Sequence, residues 1–173
     1  LILQPPPYKL WAYEVGLRKR ETAGLLGLKP TGNGGNLRLD VDPYRALGVS
    51  RLTFTHAVVG DGGFRQQTWQ AILENGLAHV KAARKDPKYV THGLHPYKGK
   101  FYPQLAKGLI NVAGLPSGAV VLDPFCGSGT TLLECYLNGL RPYGCDMHPL
   151  AAKIASAKVG VLEANPDVLT EAV

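Results

Sequence analysis

The stretch Val120-Val121-Leu122-Asp123-Pro124-Phe125-Cys126-Gly127-Ser128-Gly129-Thr130-Thr131 decides the fold of this 173-residue chain. Residues 118 to 122 form an apolar, β-branched run of strand length. From Thr130 to Leu137 the period changes to that of a helix, with Leu133 and Leu137 one turn apart. A short buried strand, a glycine-rich turn and a helix make a βα unit. Gly127 and Gly129 lack a Cβ and let the backbone approach a ligand, while the free N–H groups of the new helix favour an anionic group.

Spacing excludes two common ligands. A dinucleotide fingerprint needs a third glycine where this chain has Leu132, and a phosphate-binding Walker loop needs Gly-Lys-Thr where it has Gly129-Thr130-Thr131. What remains is Asp123 at the strand end, an aromatic, Gly-Ser-Gly-Thr, and a second acid, Asp146, closing the strand-like run 141–145. An acid at the tip of the second strand is where a ribose diol is gripped in nucleotide-type α/β sites.

Residues 123–132, Asp-Pro-Phe-Cys-Gly-Ser-Gly-Thr-Thr-Leu, resemble the S-adenosylmethionine motif of the amino-methylating DNA methyltransferases. Upstream, His95-Pro96-Tyr97-Lys98-Gly99-Lys100-Phe101-Tyr102-Pro103 resembles that family's Lys-Phe-x-Pro segment, which precedes a helix and lies against the methionine end of the cofactor. The resemblance covers residues 92 to 162. It implies S-adenosyl-L-methionine as cofactor, with Lys100, Phe101, Pro103, Asp123, Pro124, Phe125, Gly127, Ser128, Gly129, Thr130, Asp146 and Met147 around it. Asp123 would lie by the ammonium group, Asp146 would take the ribose hydroxyls, and Met147 with His148 would edge the adenine. The fold it implies is α/β: an incomplete Rossmann-like methyltransferase fold, its first two parallel strands and flanking helices, preceded by a small α/β region.

Charge is distributed unevenly. The chain holds 19 Lys and Arg against 13 Asp and Glu, and residues 1–107 carry 16 of the bases but 7 of the acids. The basic half is the nucleic-acid candidate. Within it, Lys81, Arg84, Lys85, Lys88 and Lys98, interleaved with Tyr89, Tyr97, Phe101 and Tyr102, suit phosphate neutralisation and base stacking. Cys126, Cys135 and Cys145 lack zinc spacing and read as reduced, mostly buried thiols. His92 and His95 lack a Cys or carboxylate partner in the sequence and read as turn positions beside the cofactor, with no metal. No run approaches the 18 apolar residues of a membrane span, and no charged segment at the amino end leads into an apolar one with a cleavage site, so the expectation is a soluble cytoplasmic protein.

Three segments follow: a small α/β region over 1–63, a linking helix and basic segment over 64–91, and the amino-terminal part of a methyltransferase domain over 92–173. Glu14 to Leu26 reads as a helix stopped by Gly27, with Arg18-Lys19-Arg20 solvated. Leu37, Leu39 and Val41 alternate as a half-buried strand, and 51–59 reads as another. From Trp69, Ile72, Leu73, Leu77 and Val80 form an apolar stripe, with Gln70, Glu74 and Lys81 facing away. Leu105, Leu109 and Val112 mark a helix ending at Gly114. Leu150, Ile154, Ala157 and Val161 mark another opened by Pro149, with Lys153 and Lys158 pointing elsewhere.

The family resemblance also specifies a catalytic motif, Asp/Asn/Ser-Pro-Pro-aromatic, that accepts hydrogens from the exocyclic amine of a flipped-out base. The near match Gln4-Pro5-Pro6-Pro7-Tyr8 places Pro5 where the acceptor is required, and proline offers no side-chain acceptor; it reads as a polyproline lead-in. The catalytic residues are therefore unassigned. The expectation is a DNA methyltransferase fragment, inactive alone, whose uncovered sheet edge is met by a carboxy-terminal segment or partner chain. Two alternatives stand beside it: a tRNA guanine amino-methyltransferase with an amino-terminal RNA-binding domain, and a non-catalytic nucleic-acid-binding module.

Overall fold

The computed structural model describes residues 1–42, 48–75, 85–165 and 167. It is a mixed α/β structure containing two sheets. Strands β1 (Ile2–Gln4), β2 (Leu37–Arg38), β3 (Ala57–Val59) and β4 (Arg65–Gln67) form an antiparallel sheet in the order β2-β1-β3-β4. Leu3 sits opposite Leu37 on one side and Val58 on the other. These three pack with Leu39, Val49 and Leu52 into an apolar core. Two strands are shorter than the sequence suggests: Leu39 and Val41 lie outside β2, and of the strand expected over 51–59 only Ala57–Val59 forms, with Arg51 closing a 3₁₀ turn. β4 lies beyond residue 63, where the sequence reading ends the amino-terminal unit.

Helix α1 (Ala12–Leu26) stops at Gly27, which takes the left-handed conformation at φ 67°. Its inward stripe is polar, with Glu14, Arg18, Glu21 and Thr22 all buried. Arg18, expected in solvent, is fully enclosed; its guanidinium donates to the carbonyls of Leu3 (2.8 Å) and Gly35 (2.6 Å). Hydrophobic periodicity misplaced it because these acceptors come from loop and strand backbone distant in sequence. Glu21 accepts from the backbone N–H groups of Thr53 and Phe54 and from Asn111 Nδ2, at 2.9–3.1 Å.

Helix α2 (Trp69–Asn75) turns the expected face outward: Trp69 and Ile72 are exposed, while Gln70 and Glu74 are buried. The reversal has a polar cause. Glu74 Oε1 accepts from Gln70 Nε2 (2.9 Å), Gln104 Nε2 (2.8 Å) and the Tyr8 hydroxyl (3.3 Å). These three donors offset the cost of burying a carboxylate. Leu77, Val80, Lys81 and Arg84 lie outside the described residues, as do Pro43 and Tyr44.

Helix α3 (Pro103–Ala113) begins on Pro103 and stops at Gly114, as its sequence indicates. It lies against α1 with backbone touching backbone. A Cβ on Gly24 would fall 2.4 Å from the Val112 carbonyl oxygen, and one on Gly114 would fall 2.5 Å from the Gly24 carbonyl oxygen. Leu109 is exposed, and the face that goes inward carries Gln104, Ala106, Lys107, Ile110 and Asn111. Lys107 Nζ donates to Gln70 Oε1 at 2.9 Å.

Strands β5 (Val120–Asp123) and β6 (Arg141–Gly144) pair in parallel, Val120 opposite Arg141 and Asp123 opposite Gly144. Helix α4 (Thr130–Leu137) connects them and α5 (Pro149–Glu163) follows. Cys135 of α4, Ile110 of α3 and Leu140 make the core beneath this pair. β5 is less enclosed than its apolar run suggests, since Val120 and Leu122 are exposed, as is Tyr143 of β6. α5 packs through Ala151, Ile154, Ala155 and Lys158; Leu150 and Val161, read as inward, are exposed. No helix among the described residues is long and apolar enough to cross a membrane.

Candidate functional site

The turn between β5 and α4 is held by its own backbone and by the tip of β6. Cys126 N–H donates to the Cys145 carbonyl (3.0 Å), Cys145 N–H to the Asp123 carbonyl (3.1 Å), and Gly129 N–H to the Cys126 carbonyl (2.8 Å). Gly129 is needed twice over: its φ is 77°, and a Cβ there would meet that of Ala155 at 2.7 Å. This close approach seats α5 directly against the turn.

Asp146 fastens the second strand to the first. Its carboxylate accepts from the backbone N–H groups of Gly127 (2.8 Å) and His148 (2.9 Å). These bonds, that from His148 foremost, hold it below the usual carboxylate range. Each oxygen keeps lone pairs free for further donors. The Asp123 carboxylate accepts from Phe125 N–H at 3.1 Å. Burial, aided by Asp123 and Asp146, pushes the Cys126 thiol up, away from the thiolate a nucleophile would need.

A cleft opens between this turn and the segment before α3. Lys100, Phe101, Asp123, Phe125, Gly127, Ser128 and Thr130 line it, so seven of the sequence-predicted cofactor residues converge there. Tyr97 and Thr131 join them. Five others stand off the cleft wall. Pro103 is buried in the first turn of α3, Gly129 lies behind the turn, and Pro124 is exposed at its bend. Asp146 reaches the turn through Gly127, and Met147 projects almost wholly into solvent.

A buried polar cluster presses the cleft's two walls together. Glu134, one turn into α4, accepts from the Tyr89 hydroxyl (2.6 Å) and bonds His92 Nε2 (2.8 Å). The Tyr89 and His92 rings meet edge-on, 4.9 Å between centroids. Lys100 Nζ then donates to the His92 carbonyl at 2.7 Å. The chain from Tyr89 to Lys100 is thus anchored on the helix that follows the turn. His92 is a turn residue beside the cleft, yet its partner Glu134 was not read from the sequence. The available signal was one charge in the otherwise apolar run Leu132-Leu133-Glu134-Cys135.

Lys158 was also misplaced by the sequence. It is fully buried, with its Nζ donating to Ser128 Oγ at 3.2 Å. Burial, reinforced by nearby Lys100, brings its pKa down to about 8. Thr91 Oγ1 donates to its backbone carbonyl at 2.9 Å, which ties α5 to the same anchored segment.

The basic candidates divide. Lys88 and Lys98 are exposed. Lys85 turns inward, paired with the buried Glu14 and lying over the rings of Tyr8 and Tyr102, which removes it from the candidate phosphate contacts. Glu14 recruits it because a buried carboxylate requires a partner. Among the described residues no group of three His, Cys, Asp or Glu side chains could hold a metal ion.

A family model described as DNA methylase matches residues 33–157. A type II methyltransferase of Methanocaldococcus jannaschii, M.MjaII, is 39% identical over 87 residues, which is 50% of this chain and 16% of that protein. M.MvaI of Kocuria varians is 39% identical over 88 residues, 50% of this chain and 19% of the relative. A tRNA (guanine(10)-N2)-dimethyltransferase of M. jannaschii matches 64 residues at 39% identity, 37% of this chain and 18% of that enzyme. The matched stretch thus spans less than a fifth of each of these relatives. With the family match running through both motifs and the helix beyond them, the chain belongs to the amino-methylating DNA methylase family.

Proposed function

We propose that the cleft binds S-adenosyl-L-methionine and that the protein methylates exocyclic amino groups of DNA bases. The observation that carries this reading is the convergence of the Lys100-Phe101 segment and the 123–130 turn on one cleft. The residues suit the cofactor: the buried Thr130 hydroxyl has no protein partner, Gly129 opens α4 with unpaired N–H groups at its start, and Asp146 retains lone pairs beside the turn. On this reading β5, α4, β6 and α5 are the first part of a Rossmann-like methyltransferase sheet.

Bound S-adenosylmethionine supplies a methyl group on a sulfonium, already activated for transfer. The chain's part is position. Asp146 would hold the ribose hydroxyls, Asp123 the ammonium, the backbone of 125–129 the methionine portion, and Phe101 would cover it. The Tyr8 hydroxyl is engaged elsewhere, donating to Glu74 in the buried network.

Replacing Asp146 by alanine is expected to weaken S-adenosylmethionine binding roughly ten- to a hundredfold, the scale of lost hydrogen bonds to a charged acceptor. Calorimetry measures this, and unchanged affinity in a folded variant would move the ribose elsewhere. Lys88 and Lys98 are proposed phosphate contacts. Neutralising both should lower nucleic-acid affinity for all sequences alike and flatten the log–log salt dependence by roughly one unit per contact. A sequence-selective loss at constant slope would refute that role.

The tRNA-methylating relatives support a second reading, in which the antiparallel unit ahead of the cleft serves RNA. Tritiated methyl transfer from S-adenosylmethionine by the full-length protein separates the two. Turnover on unmodified genomic DNA alone supports the first reading, turnover on unmodified tRNA alone the second, and tight binding of ATP or NAD with no response to S-adenosylmethionine ends both.

A further inference from the structure

Helices α1 and α3 lie side by side and run in the same direction, since Glu21 accepts from Asn111 and Gly24 abuts Val112 and Gly114. Their amino-terminal ends therefore meet. There the Glu14 carboxylate accepts from the Trp11 amide at 2.7 Å and pairs with Lys85, whose ammonium lies 5.5 Å from the ring centre of Tyr102 and 5.6 Å from that of Tyr8. Tyr102 is the capping residue of α3, and Phe101 next to it lines the cleft. An aromatic rim thus runs from the cleft across both helix ends: Phe101, Tyr102, Tyr13 and Trp11. Three of its rings face solvent, Phe101 at 57%, Tyr13 at 53% and Trp11 at 66% exposure.

Charge on the surrounding surface has one sign. Along residues 1–38 both acids, Glu14 and Glu21, are buried, while Lys9, Arg20, Lys29 and Arg38 are exposed. Along 85–102 the single acid, Asp86, is buried, while Lys88 and Lys98 are exposed. Lys9 adjoins Tyr8 in the chain. Gln104, in the first turn of α3, donates to the Asp86 carbonyl at 2.8 Å, which brings the segment bearing Lys88 to the same helix end. Exposed rings and ammonium groups without an exposed carboxylate fit a polyanion whose base faces are free to stack, and a duplex hides those faces.

We infer that Trp11, Tyr13 and Tyr102, flanked by Lys9 and Lys88, form a stacking track for unpaired nucleotides that leads to Phe101 at the lip of the cleft. The inference rests on the nucleic-acid reading above and deepens it, by giving the amino-terminal unit a single-stranded partner. Stacking is indifferent to base identity and to the sugar, so the track takes DNA and RNA strands alike. Lys85 acts as a positioning residue: held by Glu14, it fixes the Tyr102 ring beside the start of α1.

The test measures fluorescence anisotropy of labelled oligo-dT, oligo-rU and a duplex, each about 12 nucleotides long, with the full-length protein. Wild type should bind the single strands more tightly than the duplex, and the strand it binds more tightly identifies the natural source. Trp11→Ala and Tyr13→Ala should each lower single-strand affinity about five- to a hundredfold, the scale of one stacked base, with duplex affinity held within about twofold. The salt slope should not move in these variants, because no charge is removed; Lys9→Gln should flatten it by about one unit. Trp11→Phe should retain most of the affinity and Trp11→Leu should not, which separates stacking from apolar contact. Leucine serving as well as phenylalanine, or an equal loss on duplex and single strand, would overturn the track. So would a dimer dissociated by Trp11→Ala at unchanged nucleic-acid affinity, which would assign the rim to a second copy of the chain. Full single-strand affinity in both alanine variants refutes the track alone, whereas wild type binding none of the three nucleic acids refutes the reading beneath it.

Discussion

Replacing Arg18 by leucine is expected to remove about 3–5 kcal/mol of folding stability, as measured by urea denaturation. The side chain is fully buried and its donors fan out to the Leu3 and Gly35 carbonyls, with longer contacts to the Gly34 carbonyl and Thr55 Oγ1. Leucine fills part of the space and satisfies none of these acceptors, and each enclosed group left unpaired costs about 1–3 kcal/mol. Lysine should rescue little, because an ammonium on a flexible stem cannot reproduce the planar fork. A loss below about 1 kcal/mol would mean that water replaces the guanidinium at no great cost, and that Arg18 does not organise the antiparallel sheet.

Glu134→Leu is expected to be as severe, about 3–5 kcal/mol, since it strips a buried hydrogen-bonded cluster of its acceptor. Tyr89 and His92 would both be left facing an apolar group. Glu134→Gln retains one acceptor oxygen and should cost about half as much. The more telling readout is local. Amide hydrogen exchange across 89–100 should accelerate in Glu134→Leu well beyond that of β1–β3, and S-adenosylmethionine binding should weaken even where the protein remains folded. Uniform acceleration throughout the chain would show that Glu134 supports the core generally and does not specifically hold the cleft wall.

Legibility in the sequence followed a physical divide. Features governed by local chemistry were readable: Pro103 opening a helix and Gly114 closing it, Gly27 ending α1, and the strand-to-helix change across Gly127 and Gly129. Features governed by long-range polar partnership were not. Hydrophobic periodicity treats a polar residue as facing solvent, so it turned Arg18, Gln70, Glu74 and Lys158 outward, although each is enclosed by partners distant in the chain. For the same reason Trp69 and Ile72 were read inward, although the hydrogen bonds to the Glu74 carboxylate decide the face of α2 and leave both exposed. Around the cleft, the glycines and acids proposed to meet a ligand were visible as motifs. The groups that support them, Glu134 and Lys158, lie in helices whose patterns mark them only as interruptions.

The contact between α1 and α3 bears on how such proteins could be recombined. Exchanging the amino-terminal unit between relatives by cutting ahead of α2 would look natural on the chain diagram, yet Glu21 would be parted from Asn111 and the paired backbone surfaces of Gly24 and Gly114 would be mismatched. A viable chimera must carry α1 and α3 as one inherited piece, although some 76 residues separate their ends. Substitutions at Gly24 and Gly114 should accordingly be disfavoured singly and together, since each added Cβ would meet backbone and not a side chain that could be exchanged.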